Sequence, residues 1–182
     1  MRPIRHRCIL AAAVAVVLAL PSFFAADPGR VPEYDLKTVF LYNFAKFVSW
    51  PSDKLGPDTD TVRIGVLDMD RVADSLHLVA GKTAKNRPVT ITLCRTPEEA
   101  GACHIVFFNS ADEVMVRRIL AAVVDKPVLT VGEAPGFRRW GGIINFRVLD
   151  NRVRLVIDLQ AARRARLHIS AQLLEVAMEV RQ

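Results

Sequence analysis

The chain is poor in the residue types that most often carry metal or nucleophile chemistry, with three cysteines and four histidines among 182 residues. His77, His104 and His168 are scattered, no serine or cysteine sits near them at a signature spacing, and there is no nucleophile elbow. A catalytic triad therefore has no sequence support. Cys94, Cys103 and His104 supply three donors without a fourth, a poor zinc site. No apolar run reaches the ~20 residues that a spanning helix needs. No Lys/Arg block is interleaved with aromatic residues, so nucleic acid is not an expected partner. Internal repeats and low-complexity tracts are also missing.

What is present begins with a leader. Arg2, Arg5 and Arg7 precede the apolar run Cys8 to Leu20, and Pro21 and the small residues Ala25 and Ala26 follow. This is the pattern of a secretory signal peptide over residues 1–26, with cleavage between Ser22 and Asp27. It implies a periplasmic protein with one domain over 27–182. The alternative is that the leader is retained as an anchor. Cleavage removes three arginines and no acid, so the formal charge falls from +6 to +3.

Leu36, Val39, Phe40, Phe44, Phe47 and Val48 recur at helical spacing and end at Trp50-Pro51. Strands are expected at Val62 to Leu67, Val89 to Leu93, Ile105 to Phe108 and Val128 to Val131. A helix is expected over Arg71 to Ala80. Thr96-Pro97-Glu98-Glu99 is a capping box with proline at the first helical position, and Ser110 with Glu113 reads as a second box. Ile143 to Leu149 and Val153 to Ile157 flank Asp150-Asn151-Arg152 as a hairpin. Asp158 and Ser170 are candidate caps of two last helices. The fold class is thus α/β: a three-layer single domain with a mixed, mostly parallel sheet of five to six strands and a C-terminal β-hairpin.

Cys94 and Cys103 flank a short helix, and in an oxidising compartment they are expected to form a disulfide; free thiols are the alternative. Gly81-Lys82-Thr83 lacks the earlier glycine of a phosphate loop. Asp68-Met69-Asp70, past an apolar strand, resembles the acids of the haloacid dehalogenase phosphatases. The lysine and further acids of that chemistry are not in evidence, and strand four ends in Gly132-Glu133. No catalytic residue, metal ligand or cofactor is expected.

The stretch after strand four combines Gly132, Gly136, Gly141 and Gly142 with Phe137, Arg138, Arg139 and Trp140. Either the two rings fold back over the sheet edge as a lid, or they form a contact surface for a partner. A second candidate surface is basic: Arg163, Arg164 and Arg166, with Arg152 and Arg154 near, which would suit an acidic partner.

Lys37 through Tyr42-Asn43-Phe44-Ala45-Lys46-Phe47 to Trp50-Pro51, Cys103 to Phe108, Pro127 to Val131, Gly141-Gly142-Ile143-Ile144 and Ser170 to Ala177 together resemble the YfiR family of periplasmic regulators. The likeness runs over essentially the whole exported chain. It implies a non-enzymatic protein that binds the periplasmic part of an inner-membrane diguanylate cyclase and restrains cyclic di-GMP synthesis. A histidine kinase is the other partner class it implies, and homodimerisation stays open. Family members carry a cysteine pair around the glycine corner, where this chain has Arg138 and Asn145, so redox control through that pair is not implied here. A periplasmic small-molecule sensor is the alternative function, and a magnesium-dependent phosphatase-like enzyme the third.

Overall fold

The structure, a computed structural model, describes residues 32–181, and the leader expected over 1–26 lies outside them. The amphipathic stretch forms helix α1, Glu33–Phe47. Its buried face is Lys37, Thr38, Leu41, Phe44 and Ala45, a step round from the apolar stripe, and Val39 is 37% exposed. Strands β1, Val48–Ser49, and β2, Val62–Val66, come next, then a helix where one was expected, of 3-10 type and over Asp70–Leu78. No side chain caps it, and its turns close at i+3, as from Val72 N to Met69 O.

Strands β3, Thr83–Ala84, and β4, Arg87–Leu93, pair across Lys85-Asn86, both at positive φ. Helix α2, Pro97–Ala102, carries both halves of the capping box at Thr96 and Glu99. Strand β5, Ile105–Phe108, leads to helix α3, Glu113–Val123. Its cap is Asp112, whose carboxylate accepts from Met115 N, while Ser110 accepts from Asp112 N. The expected box at Ser110 is therefore corrected: a second acceptor closer to the helix outcompetes it.

Strand β6, Leu129–Gly132, precedes a short 3-10 helix, Phe137–Trp140, and then strands β7, Ile144–Leu149, and β8, Arg152–Asp158. The hairpin turn is Asp150-Asn151, at φ 48 and 58. Helix α4, Leu159–Arg164, strand β9, His168–Ile169, helix α5, Ala171–Glu175, and strand β10, Glu179–Arg181, complete the chain. Asp158 and Ser170 cap their helices as expected.

Eight strands form one mixed, mainly parallel sheet in the order β10-β8-β7-β6-β5-β2-β4-β3. Its central five, β4, β2, β5, β6 and β7, are parallel. Five to six strands were expected; β3 and β10 are too short and too polar to show as periodic runs. The hairpin is also not the end of the sheet, because β10 pairs in parallel outside β8. β1 and β9 form a separate antiparallel pair. The apolar run of β5 has a clear cause. Ile105 and Phe107 enter the core beneath α1, and Val106 and Phe108 enter the core beneath α2 and α3.

His104 closes the amino end of β5. Its Nδ1 accepts from Arg63 N at 3.0 Å, which leaves the proton on Nε2 to donate to Lys54 O at 3.2 Å. Burial first, then the Lys54, Arg63 and Arg87 charges, depress its pKa to about 4. A depressed histidine stabilises the fold above its unfolded value near 6.5, and that stability is lost as pH falls toward the folded value. Unfolding at a series of pH values should show a loss of about 2 kcal/mol attributable to His104, after allowing for solvent screening. His104→Gln keeps an acceptor and should flatten the slope between about pH 6.5 and 5. An unchanged slope would assign the effect to other groups.

Candidate interaction face

In a parallel sheet, loops at the carboxyl ends of the strands build sites. Here those ends are Leu67-Asp68 after β2, Asn109 after β5 and Glu133 after β6. The crevice between β2 and β5 is filled by the buried Asn109 side chain. Its Oδ1 accepts from Leu67 N and Asp68 N at 3.1 and 2.9 Å, and its Nδ2 donates to Asp68 O at 2.7 Å.

One strand further on lies a charge cluster. Lys37 is 3% exposed, and its Nζ contacts Glu133 Oε2 and Glu33 Oε1, each at 2.5 Å. Tyr34 OH donates to Glu133 Oε1 at 3.0 Å, and Arg71 Nη1 reaches the same oxygen at 3.0 Å. Arg71 Nε also lies 3.3 Å from Asp68 Oδ2, so one guanidinium joins two carboxylates far apart in the sequence. Burial pulls the Lys37 ammonium down, but hydrogen bonds and charge from Glu133 and Glu33 outweigh it, and its pKa sits above the ordinary lysine value. Burial, reinforced by Glu133, raises the Tyr34 phenol. These groups border a cleft of about 390 Å³ with Phe146, Arg147 and Val148.

The hairpin overhangs this end. β6 pairs with β7 only through Ile144 and Asn145, and β10 pairs with β8 from Val156 onward, so residues 147–154 project as a two-stranded arm. Val148 and Leu149 are 47% and 42% exposed on it.

Of the two rings in the aromatic stretch, one is part of the core. Phe137 is fully buried against Phe108, with ring centroids 5.2 Å apart. Gly132 and Gly142 make this burial feasible, since a Cβ on either would lie 2.3 or 2.1 Å from the Phe137 ring. Phe137 as a partner contact is therefore corrected to a core residue, in line with the lid reading. Trp140 is half-buried, with the Arg117 guanidinium 4.5 Å from its ring centre. Arg138 and Arg139 remain at the surface beside Arg147.

The second basic cluster is also rearranged. Arg163, Arg164 and Arg166 lie on or just past α4, at one end of β8, and Arg152 lies at the other end, roughly 20 Å away along the strand. Arg166 pairs with Asp53 at 2.8 Å. The five expected arginines thus do not form one patch.

Cys94 and Cys103 are buried side by side as thiols, with sulfurs 3.5 Å apart, over Gly65. The contact with Cys103, with burial, raises the Cys94 thiol; the same contact, with Lys54 and Arg63 nearby, lowers Cys103. Among the described residues no group of three or more His, Cys, Asp or Glu side chains could hold a metal, and no helix is long and apolar enough to cross a membrane.

A family model described as YfiR/HmsC-like matches residues 34–178. The chain belongs to the YfiR/HmsC-like family. The match begins at the second residue of α1 and runs through every element as far as α5. No curated protein matches this YfiR/HmsC-like chain. Among solved structures, it is similar to a conserved domain protein of Vibrio cholerae O1 biovar El Tor, with TM-score 0.50 and 11% identity over 83% of this chain. The similarity spans 61% of the Vibrio chain's length and bears on fold alone.

Sequence reading missed the Lys37–Glu133 cluster. The only local signal was Glu33 one turn before Lys37; the burial of Lys37, which calls for a second acid, follows from a buried face set a step round from the apolar stripe.

Proposed function

We propose that this chain is a periplasmic regulatory protein that restrains an inner-membrane signalling protein, a diguanylate cyclase, and thereby lowers cyclic di-GMP synthesis. The observation that carries this reading is the YfiR/HmsC-like match over residues 34–178. The fold agrees with a binding role rather than a catalytic one. The carboxyl-end crevice is filled by Asn109, and Asp68 and Glu133 are both engaged by Arg71, the position a phosphatase would need for its metal and nucleophile. A small-molecule sensor draws support from the cleft beside Lys37, but the charges there already pair with one another. The partner is a membrane protein whose periplasmic part meets the carboxyl-end face and its projecting arm.

Deleting the gene should raise cellular cyclic di-GMP, and expression of the exported chain should restore it. An unchanged level would overturn the cyclase reading and turn attention to a histidine kinase. We also propose that Cys94 and Cys103 pair after export, because burial side by side requires only a small rotation to bond them. Thiol labelling of unfolded, unreduced periplasmic protein should be negative; two labelled thiols would end that proposal.

A further inference from the structure

Helices α2 and α3 cover one face of the sheet only as far as β6. No residue of β7, β8 or β10 joins the core beneath them. Strand alternation and register place Arg147 and Arg154 on this open face, opposite each other, with Val156, Asp158, Glu179 and Arg181 continuing it. The 3-10 helix brings Arg138 and Arg139 to its side, and all of these residues except Arg154, which stands beside Arg147 toward the arm, line two adjoining grooves.

The charges on this face do not balance. Asp158 caps α4 through Ala161 N, and Glu179 contacts Arg181 and lies 3.9 Å from Arg138 Nη1. Five guanidiniums therefore meet two carboxylates, one of them committed to the cap. Arg147 and Arg154 face each other as a like-charged cross-strand pair, an arrangement that destabilises a sheet unless an anion sits between. The floor is recessed, with Val156 5% and Asn145 3% exposed. β10 is the outermost strand among the described residues, so its outer backbone groups are open to a further strand.

We propose that the open face of β7, β8 and β10 receives an extended, acidic peptide segment of a protein partner, whose carboxylates take up Arg139, Arg147, Arg154 and Arg181. This rests on the reading of the chain as a partner-binding regulator. The guanidinium fork matches a carboxylate bidentately, and an extended segment laid across the face would pass these side chains in turn. A planar anionic membrane would meet only the rim of a recessed floor, so the peptide is favoured.

The test uses the mature chain, a fluorescein-labelled oligoglutamate peptide and phosphatidylglycerol vesicles. Anisotropy should show salt-sensitive peptide binding that weakens roughly tenfold or more in the Arg147→Glu, Arg154→Glu double variant, while Arg163→Glu, Arg164→Glu binds like the parent. Both double variants change exposed residues and should melt like the parent. Absence of peptide binding, equal weakening in both variants, or binding to vesicles alone would each overturn the proposal. In cells, loss of control over cyclic di-GMP on deletion tests the regulatory reading by itself. If deletion changes cyclic di-GMP and the Arg147→Glu, Arg154→Glu protein still restores it fully, the regulator stands and this face is not its docking site.

Discussion

Phe137→Ala is expected to destabilise the protein by about 4 kcal/mol, lowering the melting temperature by roughly 10 °C. The ring is fully buried, touches Phe108, and stands over two glycines that leave no atoms of their own to close the void. Collapse of the site is hindered because Gly132 is fixed in β6 by its pairing with Phe108 and Asn145. Gly142→Ala attacks the same contact from the other side, with a Cβ 2.1 Å from the ring, and should also destabilise. Trp140→Ala should cost less, about 1–2 kcal/mol, since the indole is only half-buried, packed at the edge of the core beside Gly136 with the Arg117 guanidinium near its ring. Chemical denaturation of the three variants gives the order directly. A Phe137→Ala protein that melts like the parent would show that the ring is not part of the core and would reopen the contact-surface reading.

Glu133→Ala should cost about 3 kcal/mol, because it leaves the buried Lys37 ammonium with only Glu33, whose side chain is 43% exposed. It also unties three elements at once, since Glu133 holds Tyr34 and Lys37 of α1 and Arg71 of the 3-10 helix to the end of β6. The double variant Lys37→Met, Glu133→Leu removes both charges together and should recover most of the loss, as replacement of a whole buried pair by apolar groups commonly does. The thermodynamic cycle of the two single variants and the double then measures the coupling. Single variants as stable as the parent would mean that the cluster holds nothing together. If the cluster also supports the interaction face, Glu133→Ala protein that remains folded at low temperature should still weaken control of cyclic di-GMP, since the cleft and the arm share Phe146, Arg147 and Val148.

The YfiR/HmsC-like reading rests on a pattern spread over the chain rather than on a motif, and the structure explains why. The quoted stretches are packing and turn positions: Phe44 and Trp50 in the core, Ile105 and Phe107 in β5, Gly142 under Phe137. Such positions specify a fold. Arg147 and Arg154 stand on exposed strand surface, where no packing requirement fixes the residue type.

The sequence by itself determined what depends on near neighbours. The capping box at Thr96 and Glu99 and the caps at Asp158 and Ser170 each arise from contacts within a few residues, and each was legible; the hairpin turn was legible to within one residue, since Arg152 belongs to β8 rather than to the turn. Only the tertiary structure decided which distant groups meet. Lys37 and Glu133 are 96 residues apart, and no local pattern pairs them; the parallel order of the strands brings β6's end under α1. Whether Phe137 folds back as a lid or faces a partner was open in the sequence, and only the structure shows that Gly132 and Gly142 clear the space in which the ring is buried. Arg154 was expected beside Arg163, Arg164 and Arg166, but the register sets it opposite Arg147 instead, on a face left uncovered because α2 and α3 stop at β6. Local hydrogen bonding is encoded residue by residue, whereas burial and charge pairing depend on where the sheet's topology places the elements.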